Sequence, residues 1–253
     1  ISRCQNCLVS NRANHYIRRR NAMMRKTYTA LFFDADKTLL DFSAAEKRGL
    51  EAVFAKHGIP LTEEVRSYYL ALNGRLWESY ERGEISRDTV LFTRFVRLFE
   101  HFGIPKDGIA FEHDYRQELD KGHDLMEGAM ELVQTAASQY ELYIITNGTT
   151  QTQYRRLGDA GLTPYFQNIF ISGEIGSRKP MKAFFDYCFA KLPHLTPDHV
   201  LIIGDSLSSD ILGGNLSGID TCWMNAEGKI NNTFAVPTYE IRHLKELYPI
   251  LGM

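Results

Sequence analysis

Tyr28-Thr29-Ala30-Leu31-Phe32-Phe33-Asp34-Ala35-Asp36-Lys37-Thr38 is the stretch that decides how this chain is read. A mostly apolar run with no charge passes straight into two carboxylates. Such a run, bounded by polar residues, predicts a buried strand of a parallel sheet. Side chains alternate faces along a strand, so Asp34 and Asp36 leave on one side and Ala35 on the other. Ligands of open α/β sheets bind just beyond the carboxyl ends of the strands. There Asp34 can act as nucleophile and metal ligand, and Asp36 as proton donor and acceptor. Asp-rich turns are also common after strands, so the weight of this segment comes from three others that follow in a fixed order.

The second segment is Leu142-Tyr143-Ile144-Ile145-Thr146-Asn147-Gly148. A hydroxyl and main-chain N–H groups at its end can bind phosphate oxygens; taken alone, it reads equally as a strand closing in an Asn-Gly turn. The third is Gly176-Ser177-Arg178-Lys179-Pro180, with Pro180 expected to open a helix and so hold Lys179 near a positive N-terminus suited to anions. On its own, Lys179 reads as a solvated loop lysine. The fourth runs from Val200 through Gly204-Asp205-Ser206-Leu207-Ser208-Ser209-Asp210. Another buried strand leads to Asp205, Ser206 or Ser208 is placed to cap the next helix, and Asp210 follows about one and a half turns on. Separately, Asp205 could be a helix cap and Asp210 a surface residue. Together, the four segments each set polar groups at the end of an apolar strand.

Mg²⁺ takes hard oxygen ligands and needs only one or two carboxylates beside substrate phosphate, a demand that Asp34 and Asp205 meet. The eight histidines are scattered and no complete zinc spacing competes. A carboxylate attacking a phosphate monoester meets charge repulsion, which the metal and Lys179 would offset. The chemistry expected is two-step phosphoryl transfer through an aspartyl-phosphate on Asp34, with Asp36 protonating the leaving oxygen and then deprotonating water.

With these residues in that order, the chain resembles the haloacid dehalogenase (HAD) superfamily over roughly residues 27 to 250. The resemblance implies Asp34 as nucleophile, Asp36 as acid/base, and Thr146-Asn147 with Lys179 on the phosphate. It also implies Mg²⁺ held by Asp34, the Asp36 main-chain carbonyl and Asp205, with Asp210 in support. Halogen-removing members lack the second acid, so Asp36 argues for a phosphatase over a dehalogenase. Leu76-Trp77, Tyr80, Gly83, Ile85, Ser209-Asp210-Ile211, Gly213-Gly214 and Thr221-Cys222-Trp223 resemble the branch acting on pyrimidine nucleoside 5′-monophosphates. Lys37 departs from that branch, where a Glu is common. The same residues also fit a sugar-phosphate or phosphoglycolate phosphatase, or a catalytically silent binding protein.

Composition bounds the rest. A chain of 253 residues, 44% hydrophobic, is long enough for an α/β core and a smaller second domain. A net charge of −2 favours neither a nucleic-acid polymer nor a membrane as partner, and no apolar run approaches a membrane span. The expected partner is a small phosphate ester. Residues 1–26 stand apart: seven of the 29 basic side chains lie there without one acidic residue, leaving 22 against 31 beyond them. Such a leader is non-native or unprocessed sequence, a targeting segment, or an anion-binding arm. Cys4 and Cys7 form a lone pair within it; Cys188 and Cys222 sit in apolar contexts. Four cysteines without a framework point to a reducing, cytoplasmic compartment.

The layout expected is a doubly wound parallel sheet, Rossmann-like, over 27–42 and 123–253, with a helical-bundle cap inserted after the first strand over 43–122. Apolar spacing predicts cap helices over 44–57, 63–82, 87–102 and 111–121. Trp77 and Tyr80, three apart on one helix face, are candidates to stack on a base or to pack the bundle. Core strands are expected near 141–146, 168–172, 199–204 and 219–224. Helices are expected near 150–159, 182–192, 208–216 and 240–250.

Overall fold

The computed structural model describes residues 27–253. The basic leader and its Cys4–Cys7 pair lie outside the described residues. Six strands form one sheet: β1 (Ala30–Phe33), β2 (Glu141–Thr146), β3 (Asn168–Ile171), β4 (Val200–Gly204), β5 (Asp220–Met224) and β6 (Tyr239–Ile241). Their order is β3-β2-β1-β4-β5-β6 and every neighbouring pair is parallel. The chain moves outward from β1 through β2 and β3, then crosses back to set β4 on the other side of β1. That reversal is the switch point at which open α/β sheets bind ligands. Phe33 lies opposite Ile144 of β2 and Ile203 of β4, so Asp34 emerges there, its N–H donating to the Ile203 carbonyl at 2.8 Å.

Alternation along β1 explains the two apolar layers. Leu31 and Phe33 face one side with Leu142, Ile144, Leu201 and Ile203, where α5 (Ala129–Ala136), α6 (Thr150–Asp159) and α10 (Leu247–Leu251) cover them. Ala30 and Phe32 face the other with Tyr143, Ile145 and Ile202, under Phe184, Phe185 and Cys188 of α8 (Lys182–Lys191). Burial of both faces removes any need for polar alternation, which is why these strands read as continuous apolar runs.

Between β1 and β2 lie α1 (Phe42–Lys56), α2 (Glu63–Glu81), α3 (Arg87–Phe102) and α4 (Gly108–Leu119). Asp41, Thr62, Ser86 and Asp107 cap them in turn, each side chain accepting a main-chain N–H of the first turn. Asp107 accepts from Ile109 and Ala110, which starts α4 three residues before the expected 111. The bundle has its own apolar centre: Leu50, Val53, Phe54, Tyr69, Phe95, Phe99, Phe111 and Tyr115.

Two expectations need correction. The segment 240–250 is not one helix: Tyr239–Ile241 pairs with β5 as an edge strand, and a 3-10 turn at Leu244–Glu246 then leads into the short α10. Three residues after Pro237-Thr238 are too few to show a strand period. Pro180 does not open α8, which begins at Lys182 after Met181; α7 (Ser172–Ile175) and Gly176 precede that loop. The expected helix near 208–216 opens as a π-helical turn, Leu207–Ile211, and continues as α9 (Leu212–Ser217). Among the described residues no helix is long and apolar enough to cross a membrane.

Candidate active site

The ends of β1, β2 and β4 bring Asp34, Lys179, Asp205 and Asp210 together, beside the polar end of the second segment at Thr146-Asn147. Lys179, 1% exposed, donates from Nζ to Asp34 Oδ1 at 2.6 Å, Asp210 Oδ1 at 2.6 Å and the Ile145 carbonyl at 2.7 Å. Its three protons thus have three acceptors. Burial works against the Lys179 charge, but Asp210 and Asp34 outweigh it and push the ammonium above its ordinary range. The position of Lys179 is locked through its main chain: its N–H donates to Asn147 Oδ1 and the Asn147 amide donates to its carbonyl, both at 3.0 Å.

One oxygen each of Asp34, Asp205 and Asp210 lie within 4.8 Å of one another. Burial pushes the Asp34 carboxyl well up; Lys179 pulls it back, while Asp210, Asp205 and Asp36 push it further. Burial and then Asp210 raise Asp205 to about 7, against the pull of Lys37. Lys37 itself holds a left-handed φ of 60°, the non-glycine exception of the described chain, in the turn directly after Asp36. Three carboxylates facing one ammonium is a donor set of hard oxygens with negative charge to spare, which fits Mg²⁺. Asp210 has both oxygens engaged, Oδ1 by Lys179 and Oδ2 by the Ser206 N–H at 3.1 Å. The π-helical turn carries Asp210 back against Gly204, where a Cβ would run into the carboxylate. Ser206 is the helix cap, its hydroxyl accepting from Ser209 N–H at 3.2 Å.

Thr146 is buried, and its Oγ1 accepts from Gly148 N–H at 3.1 Å and Gln153 Nε2 at 2.9 Å, leaving the hydroxyl proton to donate. Asp36 stands apart from the cluster of three carboxylates. Its Oδ2 accepts from Gln153 Nε2 at 2.6 Å and its Oδ1 pairs with the Arg156 guanidinium.

The bundle reaches the site through the C-terminal end of α2. Glu81 accepts from the hydroxyls of Ser206, at 3.2 Å, and Ser208. Burial raises its carboxyl above the ordinary range, although Ser208 opposes this. Arg178 donates from Nε to the Tyr80 carbonyl at 2.6 Å and lies over the Tyr80 ring at 4.7 Å. Trp77 and Tyr80 meet edge to face at 5.7 Å and pack with Leu72, Leu76 and Val90 inside the bundle. Sequence reading did not single out Glu81, Gln153 or Arg156. The signal for the last two was available in their three-residue spacing on the helix after Thr146; Glu81 lies too far from the core motifs to carry one.

The family model described as haloacid dehalogenase-like hydrolase matches residues 28–218. The HAD-hydrolase YfnB of Bacillus subtilis (strain 168) is 47% identical over 228 residues, spanning 90% of this chain and 97% of YfnB. A crystal structure of YfnB bound to magnesium superposes with a TM-score of 0.87, covering 90% of this chain and 100% of that one. Pyrimidine 5′-nucleotidase PynA of Streptococcus pneumoniae is 39% identical, covering 88% of this chain and 95% of PynA. Pyrimidine 5′-nucleotidase YjjG of Escherichia coli (strain K12) is 32% identical, covering 87% and 96%.

Proposed function

Because the chain belongs to the haloacid dehalogenase-like hydrolases, we propose that it is a Mg²⁺-dependent phosphatase of nucleoside 5′-monophosphates, pyrimidine nucleotides foremost. The observation that carries the chemistry is Lys179, sunk between Asp34 and Asp210 with Asp205 beside them. The substrate class rests on similarity to two pyrimidine 5′-nucleotidases along nearly the whole described chain. Buried free thiols at Cys188 and Cys222 support a reducing, cytoplasmic setting.

Asp34, with one oxygen on Lys179, keeps the other to attack phosphorus. The bond to the leaving oxygen breaks as Asp36 gives it a proton, and the phosphoryl group stays on Asp34. In the second step Asp36 takes a proton from water as the water oxygen attacks phosphorus, freeing phosphate and the Asp34 carboxylate. The Thr146 hydroxyl, and Lys179 once it gives up one of its three acceptors, hold the phosphate oxygens on which charge develops. Asn147 contributes by fixing Lys179. Asp34, Asp205 and the Asp36 carbonyl would hold Mg²⁺, with Asp210 in support. When bound, the cation offsets the repulsion between carboxylate and phosphate. Residues 43–122 act as a cap that excludes water and selects the leaving group. Trp77 and Tyr80 shape it by packing rather than by stacking on a base.

Phosphate release from nucleoside monophosphates, sugar phosphates and phosphoglycolate, with Mg²⁺ and with EDTA, tests the reading. Turnover that needs Mg²⁺ and is greatest on pyrimidine monophosphates is expected. Highest turnover on a sugar phosphate would keep the chemistry and discard the substrate class. Turnover unaffected by EDTA would discard the metal.

A further inference from the structure

Asp36 is held by two residues that the four motifs do not contain. Gln153 and Arg156 lie three apart on α6 and so share one helix face. Both are 1% exposed. Gln153 Nε2 reaches Asp36 Oδ2 at 2.6 Å while bonding Thr146 Oγ1 at 2.9 Å; Arg156 pairs with Asp36 Oδ1. Both carboxylate oxygens are therefore gripped, which fixes the rotation of a side chain that is itself 27% exposed.

The grip is built from below. Arg156 Nε donates to the Gly122 carbonyl at 2.5 Å and the guanidinium lies over the Phe42 ring at 5.5 Å. Thr152, on the same helix, donates to Asp120 at 2.6 Å. Gly148 leaves the space for Gln153, since a Cβ there would overlap its amide. Arg156 Nη2 and Gln153 Oε1 are buried without partners. A buried polar atom left unpaired is costly, so the chain bears a penalty to keep these two side chains in place.

We propose that Arg156, seconded by Gln153, is a positioning residue that sets the orientation of the acid/base carboxylate Asp36. This rests on the role assigned above to Asp36. The proton that Asp36 delivers matters when the leaving oxygen is a poor leaving group, as in an alkyl or nucleoside ester. It matters little when the oxygen leaves as a stable phenolate. A loosened Asp36 therefore slows alkyl esters selectively, whereas general damage to the fold slows both.

The test is kcat/KM for a nucleoside monophosphate and for 4-nitrophenyl phosphate, in wild type, Arg156→Gln, Arg156→Lys, Gln153→Met and Asp36→Asn. The ratio kcat/KM isolates events up to phosphoryl transfer, before the shared hydrolysis step. General acid catalysis is worth about 10²–10⁴-fold. Losing its positioning is expected to lower the nucleotide-to-aryl ratio about tenfold or more in Arg156→Gln, less in Gln153→Met, with part restored in Arg156→Lys. A ratio equal to wild type in Arg156→Gln, or in Gln153→Met should the first variant fail to fold, overturns the inference. Asp36→Asn separates the two levels. If it lowers the ratio and the α6 variants do not, only the positioning role falls; if it too leaves the ratio unchanged, the acid/base assignment of Asp36 has failed.

Discussion

Three carboxyl groups and one ammonium meet at the ends of β1 and β4, crowded closely enough that burial and mutual repulsion favour a proton on Asp34 and Asp205 until a cation arrives. Lys179 keeps two further acceptors, Asp210 and the Ile145 carbonyl, when Asp34 is changed. Asp34→Asn is therefore expected to abolish phosphate release while thermal unfolding still shows a folded protein; residual turnover near wild type would rule out a covalent step on Asp34. Asp205 gives a pH dependence. Burial raises its carboxyl from 3.8 to about 7, so between those values the native state holds a proton that the unfolded chain has lost. In the metal-free protein this group's contribution to stability is present at the acid end and is lost as pH rises towards about 7. Metal binding needs the deprotonated form. Addition of Mg²⁺ should thus raise Tm more at about pH 8 than at about pH 5.5, and an equal rise at both would remove Asp205 from the ligand set.

At the scale of elements, what could be read beforehand depended on how local the signal was. β1, β2 and β4 are runs that bury both faces, and each ends in a turn whose residues carry the chemistry, so strand and site were legible together. β6 is three residues long and owes its conformation to the edge of β5, which no local pattern records. The grip of α6 on Asp36 was only half legible for a related reason: spacing puts Gln153 and Arg156 on one helix face, but that this face meets Asp36 depends on where β1 lies. The same holds inside the bundle. Arg94 of α3, 2% exposed, makes two bonds of 2.7 Å to Glu112 of α4 and one of 3.1 Å to Asn73 of α2, which in turn donates to Glu46 of α1 at 2.9 Å. Helical spacing puts Arg94 on the apolar face with Leu91, Phe95 and Leu98, but does not record the partners on other helices that neutralise it there. Through them Arg94 ties four helices together. Removing one partner of a buried ion pair costs about 3–5 kcal/mol, because the other charge stays buried. Arg94→Met should lose stability of that order in urea unfolding, and the double change Arg94→Met with Glu112→Leu should recover much of it. No recovery in the double variant would mean that the network's value lies in its geometry rather than in its charge balance.

Across the described residues, the sheet and the helical bundle each have an apolar centre, and polar contacts run between them near the site. The sheet's layers and the bundle's cluster share no buried residue. Contacts that cross between them include Glu81 on Ser206 and Ser208, Arg178 on the Tyr80 carbonyl, Arg87 on the Gly148 carbonyl at 3.4 Å, Thr152 on Asp120, and Arg156 on the Gly122 carbonyl and over the Phe42 ring. Polar contacts of this kind exchange with water at little net cost, whereas an apolar seam would not, so loosening them is expected to let the bundle move against the core while each apolar centre stays folded. Glu81 is the contact nearest the chemistry: Ser206 and Ser208 belong to the turn that carries Asp210 back to Lys179. Glu81→Ala should leave each apolar centre intact and so change global unfolding little. It should increase hydrogen exchange of the amides in 80–85 and 206–211, and raise KM more than it lowers kcat, because the closed arrangement is populated less before substrate arrives. Exchange that rises throughout both sheet and bundle would instead show that Glu81 holds the fold together, and the closure argument would fall with it.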